Sequence, residues 1–426
     1  MYKINTGGFI DKQKTKGNAL PGDGIRAKNT LTPRGRISIL STAENRIHRG
    51  SSGMVNPGLE GVVAAQTAVC FIDGLQGRML YRGHDIHDLA AHSSFEETAY
   101  LLWHGDLPGS GRLAELNEQL LAGRTLPAAV LDLLRALPRR TAPMDVLRSA
   151  VSFLSAYDPD AANHTREANL RKAVRLTAQF ASVTAAWHRI SKSSDPIAPN
   201  PSLGHAANFL YMLNGTIPDT EYAKAFDVAL ILHADHELNA STFAARVTAA
   251  TLSDMHSAVT SAVGTLKGPL HGGANKDVMD MLNEIGETSR AGDYVGEKLA
   301  AREKIPGFGH RVYKTEDPRA THLRRLSKEL GRKAGDLKWY EMSRVIEQTM
   351  MDLKGIACNV DFYSGSVYAN MGIPAELFTP VFACSRISGW TAHLLEQYDD
   401  NRIIRPLGEY TGPTEARYVP MENRPA

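Results

Sequence analysis

The sequence is poor in several things, and each shortage excludes something. It has three cysteines, Cys70, Cys358 and Cys384, widely separated and with no C-x-x-C pair. A disulfide framework and a Cys-rich zinc site are therefore disfavoured, and reduced thiols in a cytoplasmic protein are expected. Neither sign of charge dominates, with 48 Lys and Arg against 46 Asp and Glu and a net charge of +2. That excludes the broad basic footprint of a nucleic-acid binder, so any phosphate recognition must be local. No apolar run reaches transmembrane length, so no membrane partner is expected. The opening MYKINTGGFIDKQKTKGN lacks the apolar core of a secretory signal. No low-complexity tract dominates, and no internal repeat is found. Strands do not alternate with helices, which argues against a Rossmann-type parallel sheet.

What is present points to a large, mostly helical globular protein. Hydrophobic residues make up 43% of 426 positions, enough for a substantial core and more than one usual domain length. Residues 1–53 are basic, Gly- and Thr-containing and poor in acids, and read as a flexible tail. After them, Val62, Val63, Val69, Phe71 and Ile72 precede the turn signal Asp73-Gly74, and Met79-Leu80-Tyr81 follow it, predicting a small hairpin. From Ile86 onward apolar residues recur at helical spacing, punctuated by Pro108, Pro127, Pro138 and Pro143. The stretch LFTPVFACSRISGWTAHLLEQY is apolar on most sides, as in a buried helix. The fold class expected is mostly α, with a short β element near the start.

Four segments could carry chemistry. In LILHADHELNAST, His233 and His236 share a helical face, but H-E-x-x-H is absent. His233 reads as a packed core histidine, whereas His236 precedes the polar run Glu237, Asn239, Ser241, Thr242. In LKGPLHGGANKD, glycines flank His271, break any helix and let a ligand approach the backbone. In IPGFGHRVYKTEDPR, Gly307 and Gly309 lead to His310, with Arg311, Lys314 and Arg319 close behind, suiting a phosphate or carboxylate. A solvated surface loop explains that segment equally well. In ACNVDFYSGSVY, Asp361 stands among apolar and aromatic neighbours; burial would raise its pKa toward that of a working base. Taken alone, it reads as an ordinary helix N-cap. Arg386, inside the apolar C-terminal helix, implies an anionic ligand or an acidic partner, because a lone buried charge is costly. Arg405, in RIIRPLGEY, fits a surface position as well as a functional one.

Together GPLHGGAN, PGFGHRVYKTEDPR, NVDFYSGSVY and LFTPVFACSRISGWTAHLLEQ, in this order and spacing, resemble the citrate synthase family, from about Gly58 to the C-terminus. GLEGVVAAQTAVCFIDG, YRGHDIHDLA and the tail YTGP…YVP look like its shorter bacterial and archaeal members. The resemblance implies an almost all-α fold with a large domain (54–272 and 377–426), a small domain (273–376) and the active site in the cleft between them. It implies condensation of acetyl-CoA with oxaloacetate through citryl-CoA, both as substrates, with no cofactor and no metal.

Residue by residue, the same resemblance implies that His271 bonds the thioester carbonyl, Asp361 removes the methyl proton and His310 polarises the ketone. His236, Arg319 and Arg386 would hold the oxaloacetate carboxylates, and Arg405 would come from the neighbouring subunit of a homodimer or homohexamer. Asn239 and Ser241 match polar positions behind those groups. Ile305, Gly307, Phe308, Gly309, Arg311 and Lys314 match the segment that wraps the CoA nucleotide. Lys314 stands where some relatives carry arginine, keeping the charge but losing the fork. Residues 1–53 have no counterpart in the family core, so NADH control is not implied. The alternatives are 2-methylcitrate synthase, whose propionyl-CoA differs by one methyl and about 1–3 kcal/mol of pocket discrimination; a non-catalytic CoA- or anion-binding protein; and a metal-dependent hydrolase.

Overall fold

The computed structural model describes residues 56–425. The chain divides into two compact units, Met1–Val62 and Val63–Ala426. Of the first, residues 56–62 are described and hold a 3-10 turn at Pro57–Leu59. The segment read as a flexible tail, 1–53, lies outside the described residues.

The second unit opens with the expected hairpin. Strand β1 (Cys70–Asp73) pairs antiparallel with β2 (Arg78–Tyr81), and a short β3 (His84–Asp85) extends the sheet. The turn closes because Asp73 Oδ1 accepts the N–H groups of Leu75 and Gln76 at 3.0 and 2.9 Å. Met79 and Tyr81 alternate into the core while Arg78 faces water. Val62 and Val63, expected to run into this hairpin, are exposed and lie before the first strand. Apolar character alone does not extend a strand without a pairing partner.

Sixteen α-helices follow among the described residues. They are α1 (Ile86–His92), α2 (Phe95–His104), α3 (Ser110–Gly123), α4 (Ala128–Ala136), α5 (Pro143–Leu154), α6 (Arg166–Ser191), α7 (His205–Asn214) and α8 (Thr220–His233). Then come α9 (Ala240–Ala249), α10 (Met255–Leu266), α11 (Ala274–Ile285), α12 (Ala291–Ala300), α13 (Pro318–Ala334), α14 (Lys338–Lys354), α15 (Val360–Asn370) and α16 (Phe378–Asp399). Their ends obey local chemistry. α2 starts on a capping box between Ser94 and Glu97 and stops at left-handed Gly105. α13 starts on Asp317 with Pro318 at its first position.

Helix α16 is buried along nearly its whole length and packs against α6, α9, α10, α2 and α8. A helix apolar on most sides has no face to give to solvent, so it becomes the axis around which others pack. Helices α11, α13, α14 and α15 form a second packed group, and α13 also touches α1 and α8. The turns and helix starts where these two groups face each other carry the chemically notable side chains.

Candidate active site

The turn between α8 and α9 presents His236. Its carrier segment is tied down by buried polar groups: Tyr81 Oη accepts the Asp235 N–H at 3.1 Å, and Asp235 Oδ2 accepts the Glu237 N–H at 2.9 Å. Asp235 also faces His393 Nε2 at 3.2 Å, with both side chains sealed from solvent. Glu237 adopts φ +52°, a left-handed backbone that few non-glycine residues take up. His236 is nearly buried, and its Nε2 has no protein partner. Burial, then Arg319, His310 and Arg386, push it well below the usual histidine range, so the ring is neutral. His233, fully buried and bonded through Nδ1 to Ala229 O at 2.7 Å, is the packed core histidine expected of it.

His271 lies in the loop between α10 and α11. Gly272 beside it has no room for a side chain, since a β-carbon there would sit 2.3 Å from Leu266 O. Across the loop, Asn239 caps α9 through the Thr242 N–H, and Ser241 is fully buried. The Ser241 N–H donates to His271 Nε2 at 3.3 Å, and the Ser241 hydroxyl lies 2.8 Å from the same nitrogen. That hydroxyl also lies 2.7 Å from Asn239 Oδ1 and receives the Trp390 indole N–H at 3.1 Å. A backbone N–H can only donate, so Nε2 accepts there and the neutral ring carries its proton on Nδ1. Burial, with help from Arg386, lowers His271 to about 4.

His310 ends the Gly-rich loop between α12 and α13. Its Nδ1 accepts the N–H groups of Val312 and Tyr313 at 3.0 and 3.1 Å, which puts the ring proton on Nε2. The His310 ring lies 5.1 Å from that of His236 and 4.7 Å from that of Tyr313. Burial and the charge of Arg319 hold it at about 4. The loop is stitched to the chain ahead of α15: Asn359 N–H bonds Gly307 O at 2.9 Å, and Asn359 Nδ2 bonds Gly309 O at 3.0 Å. Gly307 is obligatory, because a β-carbon there would strike Phe362 and Val278 within 2.9 Å. Ile305 is buried, Gly307 is packed on Phe362, and the Phe308 ring lies tilted against that of Phe362 at 4.6 Å between centroids. These three therefore shape the loop from within, while Arg311 and Lys314 stand on its exposed side.

Asp361 and Arg319 meet at two helix starts. Asp361 does not cap α15; Asn359 does, accepting the Asp361 N–H at 3.0 Å. This corrects the capping role that Asp361 suggests in isolation, and leaves its carboxylate free of that duty. Burial pushes Asp361 up to about 6, against the pull of Arg319 and Arg386. Arg319 is paired bidentately with Asp317, whose Oδ2 also accepts the Val360 N–H at 3.2 Å. Asp317 thus joins the start of α13 to the start of α15. Sequence reading passed over it, although Asp before Pro-Arg is a recognisable helix-start signal.

Arg386 is 1% exposed, and its Nε donates to His233 O at 2.7 Å. Its guanidinium lies over the Phe382 ring at 4.6 Å, and among the described residues it has no ion-pair partner. Asp235, itself bonded to His393, acts on Arg386 electrostatically without forming an ion pair, so the charge of Arg386 is only partly met within the described residues. Trp390, one turn further along α16, was likewise not singled out in the sequence.

The fold therefore gathers His236, His271, His310, Arg319, Asp361 and Arg386, with Asn239 and Ser241 behind them. Arg405 is not gathered: it lies in the exposed segment after α16, with no contact to this site among the described residues. One group with metal-like proximity exists there, Glu316, Glu347 and Cys358. The Arg324 guanidinium bonds both carboxylates and lies 3.8 Å from Cys358 Sγ, so a cation already fills that position.

Residues 58–407 match the family described as "Citrate synthase, C-terminal domain". A citrate synthase of Haloferax volcanii is 52% identical over 378 residues, spanning 88% of this chain and all of that protein. The chain belongs to the citrate synthase family. Like other citrate synthase family members it is an enzyme that transfers an acyl group. A citrate synthase structure from Pyrobaculum aerophilum superposes with TM-score 0.83 at 40% identity, covering 87% of this chain and 95% of that one. A citrate synthase from Thermoplasma acidophilum, solved as a ternary complex with carboxymethyl coenzyme A and oxaloacetate, gives TM-score 0.82 at 33% identity, covering 87% and 99%. A 2-methylcitrate synthase of Shewanella oneidensis is 42% identical over 374 residues, covering 87% and 98%. The mostly helical fold and the family read from the sequence stand. No helix among the described residues is long and apolar enough to cross a membrane.

Proposed function

We propose that this site condenses acetyl-CoA with oxaloacetate to citrate and free CoA, with His271, Asp361 and His310 as its catalytic groups. The observation that carries the reading is Arg386: a buried cation with no ion pair among the described residues and only the electrostatic pull of Asp235, beside the unpartnered Nε2 of His236. A small polyanion supplies what both lack. Arg319 adds positive charge at the same place, although Asp317 shares it.

The protonation states suit the steps. Asp361 takes a methyl proton from the thioester, and its raised pKa makes it a stronger base than an ordinary carboxylate. The enolate oxygen that forms accepts the Nδ1–H of neutral His271. The Nε2–H of neutral His310 would donate to the ketone oxygen of oxaloacetate and make its carbon electrophilic. The enolate carbon attacks that carbon while the ketone oxygen takes the His310 Nε2 proton and becomes the hydroxyl of citryl-CoA. Water then cleaves the thioester to the citrate carboxyl and the CoA thiol, and the proton taken by Asp361 returns to His310 through solvent. Low histidine pKa values keep both rings as neutral hydrogen-bond donors at neutral pH. Holding both substrates in one cleft supplies the orientation term. Acetyl-CoA is a substrate, and no separate cofactor or metal enters these steps.

We place His236, Ser241, His271 and Arg386 on a large domain (54–272 and 377–426) and His310, Arg319 and Asp361 on a small one (273–376). Closure of one on the other would assemble the site and exclude water. Gly309, Arg311 and Lys314 offer the CoA nucleotide backbone and cationic groups, on the loop shaped by Ile305, Gly307 and Phe308. The assembly we infer is a homodimer or a homohexamer in the cytoplasm. Ile403, Leu407, Tyr410, Tyr418 and Met421 are exposed along the C-terminal segment that carries Arg405. A second copy covering that segment would bury them and could receive Arg405 into its own site.

The test is release of free CoA thiol from the purified chain given oxaloacetate, with acetyl-CoA and propionyl-CoA in parallel. Fast release with acetyl-CoA and none without oxaloacetate is expected. Preference for propionyl-CoA would move the assignment to 2-methylcitrate synthase, the second reading, which the Shewanella oneidensis relative keeps open.

A further inference from the structure

The hairpin turn touches the His310 loop backbone to backbone. A β-carbon built on Gly74 would stand 2.2 Å from the Val312 carbonyl oxygen and 2.8 Å from its carbonyl carbon. One built on Gly77 would stand 2.7 Å from Thr315 Oγ1 and 3.0 Å from Glu316 O. The Lys314 N–H donates to Gly74 O at 2.8 Å. Asp73 keeps the turn in shape through its bonds to the Leu75 and Gln76 N–H groups.

The peptide between Val312 and Tyr313 connects this contact to the site. Its carbonyl oxygen faces Gly74, and its N–H donates to His310 Nδ1 at 3.1 Å. A trans peptide is planar, with C=O and N–H pointing in opposite directions. Any push on the oxygen is therefore passed to the N–H as a rigid movement. The adjoining Val312 N–H bonds the same ring nitrogen at 3.0 Å.

We propose that Gly74 is a positioning residue for His310: this turn residue, which has no side chain, seats the Val312–Tyr313 peptide, and that peptide holds the imidazole with its proton on Nε2. The proposal rests on the reading of His310 as the group that polarises the ketone. A neutral imidazole has two tautomers, and only one of them presents a donor to the ketone oxygen. If the two backbone donors to Nδ1 are displaced, the other tautomer and other ring orientations become accessible.

The experiment uses the full chain and the variants Gly74→Ala, Asp73→Ala, Leu75→Ala, His310→Gln and Gly74→Ala with His310→Gln. CoA release gives kcat and the KM for oxaloacetate, and ¹⁵N spectra of labelled histidine report the His310 tautomer. Gly74→Ala should lower kcat by about 10²-fold, the cost of roughly 1 Å of misplacement. It should change KM far less, and it should mix the His310 tautomers. Asp73→Ala, which loosens the turn without adding atoms, should act in the same direction but less strongly. Leu75, 75% exposed, should tolerate alanine at the wild-type rate. In the double variant the glycine change should cost nothing beyond His310→Gln, because both act through one group.

A wild-type kcat with the Nε2–H tautomer in Gly74→Ala would overturn the proposal. So would an undiminished loss from Gly74→Ala on top of His310→Gln. Should Gly74→Ala fail to fold, a wild-type rate and tautomer in Asp73→Ala would overturn it instead. A wild-type rate in His310→Gln would remove the reading beneath it, and that result is separate from all the hairpin outcomes.

Discussion

Arg319 and Asp317 form a bidentate pair sealed from solvent, with Nε on Oδ1 at 2.9 Å and Nη2 on Oδ2 at 2.7 Å. Burial alone would raise the carboxyl and lower the guanidinium. Each partner more than reverses this for the other, so Asp317 is held low and Arg319 high. The same carboxylate takes the Val360 N–H, so one ion pair sets both the charge at the start of α13 and the position of the helix bearing Asp361.

Asp317→Asn should therefore damage stability more than a surface change. Removing one member of a buried pair strands the other, at a cost of about 3–5 kcal/mol. Urea unfolding of the variant should show this loss, together with weaker binding of oxaloacetate. A loss under about 1 kcal/mol would mean that the pair is not sealed as described.

Asp361→Asn should slow turnover by about 10²–10⁴-fold while leaving oxaloacetate binding measurable by calorimetry. It should also stabilise the fold at neutral pH. The carboxyl is raised from 3.8 to about 6 in the folded chain, so its favourable contribution is complete below pH 3.8 and is lost as pH rises through about 6. The amide escapes that loss. Thermal melts at pH 7.5 should favour the variant, and melts near pH 4 should show little difference.

The same shift fixes the acid limb of the rate. In the proposed role Asp361 acts as a base only when ionised, so kcat/KM should fall as pH drops below about 6. His271 and His310, each at about 4, remain neutral across that range and do not set the limb. A limb centred near 4 would assign the titration to the histidines.

Arg386→Leu should abolish the rise in melting temperature that oxaloacetate gives the wild-type chain, because a ligand stabilises only the state that binds it. The KM for oxaloacetate should rise by about 10²-fold or more, the loss of a desolvated charge contact. Stability without ligand should change little. The variant removes a costly buried cation that no ion pair holds among the described residues, which offsets the donor lost from His233 O. A ligand-free chain destabilised by more than about 3 kcal/mol would show that Arg386 is already paired within the protein.

Acid should weaken the fold through His322. Its Nε2 lies 2.8 Å from His87 Nδ1, between α13 and α1. Burial, then the charges of His87 and Arg325, hold it at about 4 against an ordinary 6.5. Its stabilising contribution is present above pH 6.5 and is lost as pH falls toward 4. His322→Gln should flatten that part of the stability–pH curve.

The helices, the hairpin turn and the histidine-bearing loops were legible in the sequence because their causes are local. Helical spacing, glycines around His271 and His310, and Asp73-Gly74 each act within a few residues. The catalytic set was legible chiefly as an ordered group of motifs. Taken singly, Asp361 suggested a cap, and the cationic loop suggested solvated charge. What the sequence by itself determined, then, is the helical class, the turns and which side chains are candidates for the chemistry. Only the tertiary structure decided that Asn359 and not Asp361 caps α15, that Asp317 neutralises Arg319 while Arg386 stays unpaired, and that Gly74 lies against Val312. The Arg386 and Gly74 outcomes join segments far apart in the chain, His233 to Arg386 across 153 residues for one. Whether a buried charge finds a partner depends on which helices pack together, and a pattern that acts within a few residues carries no record of that.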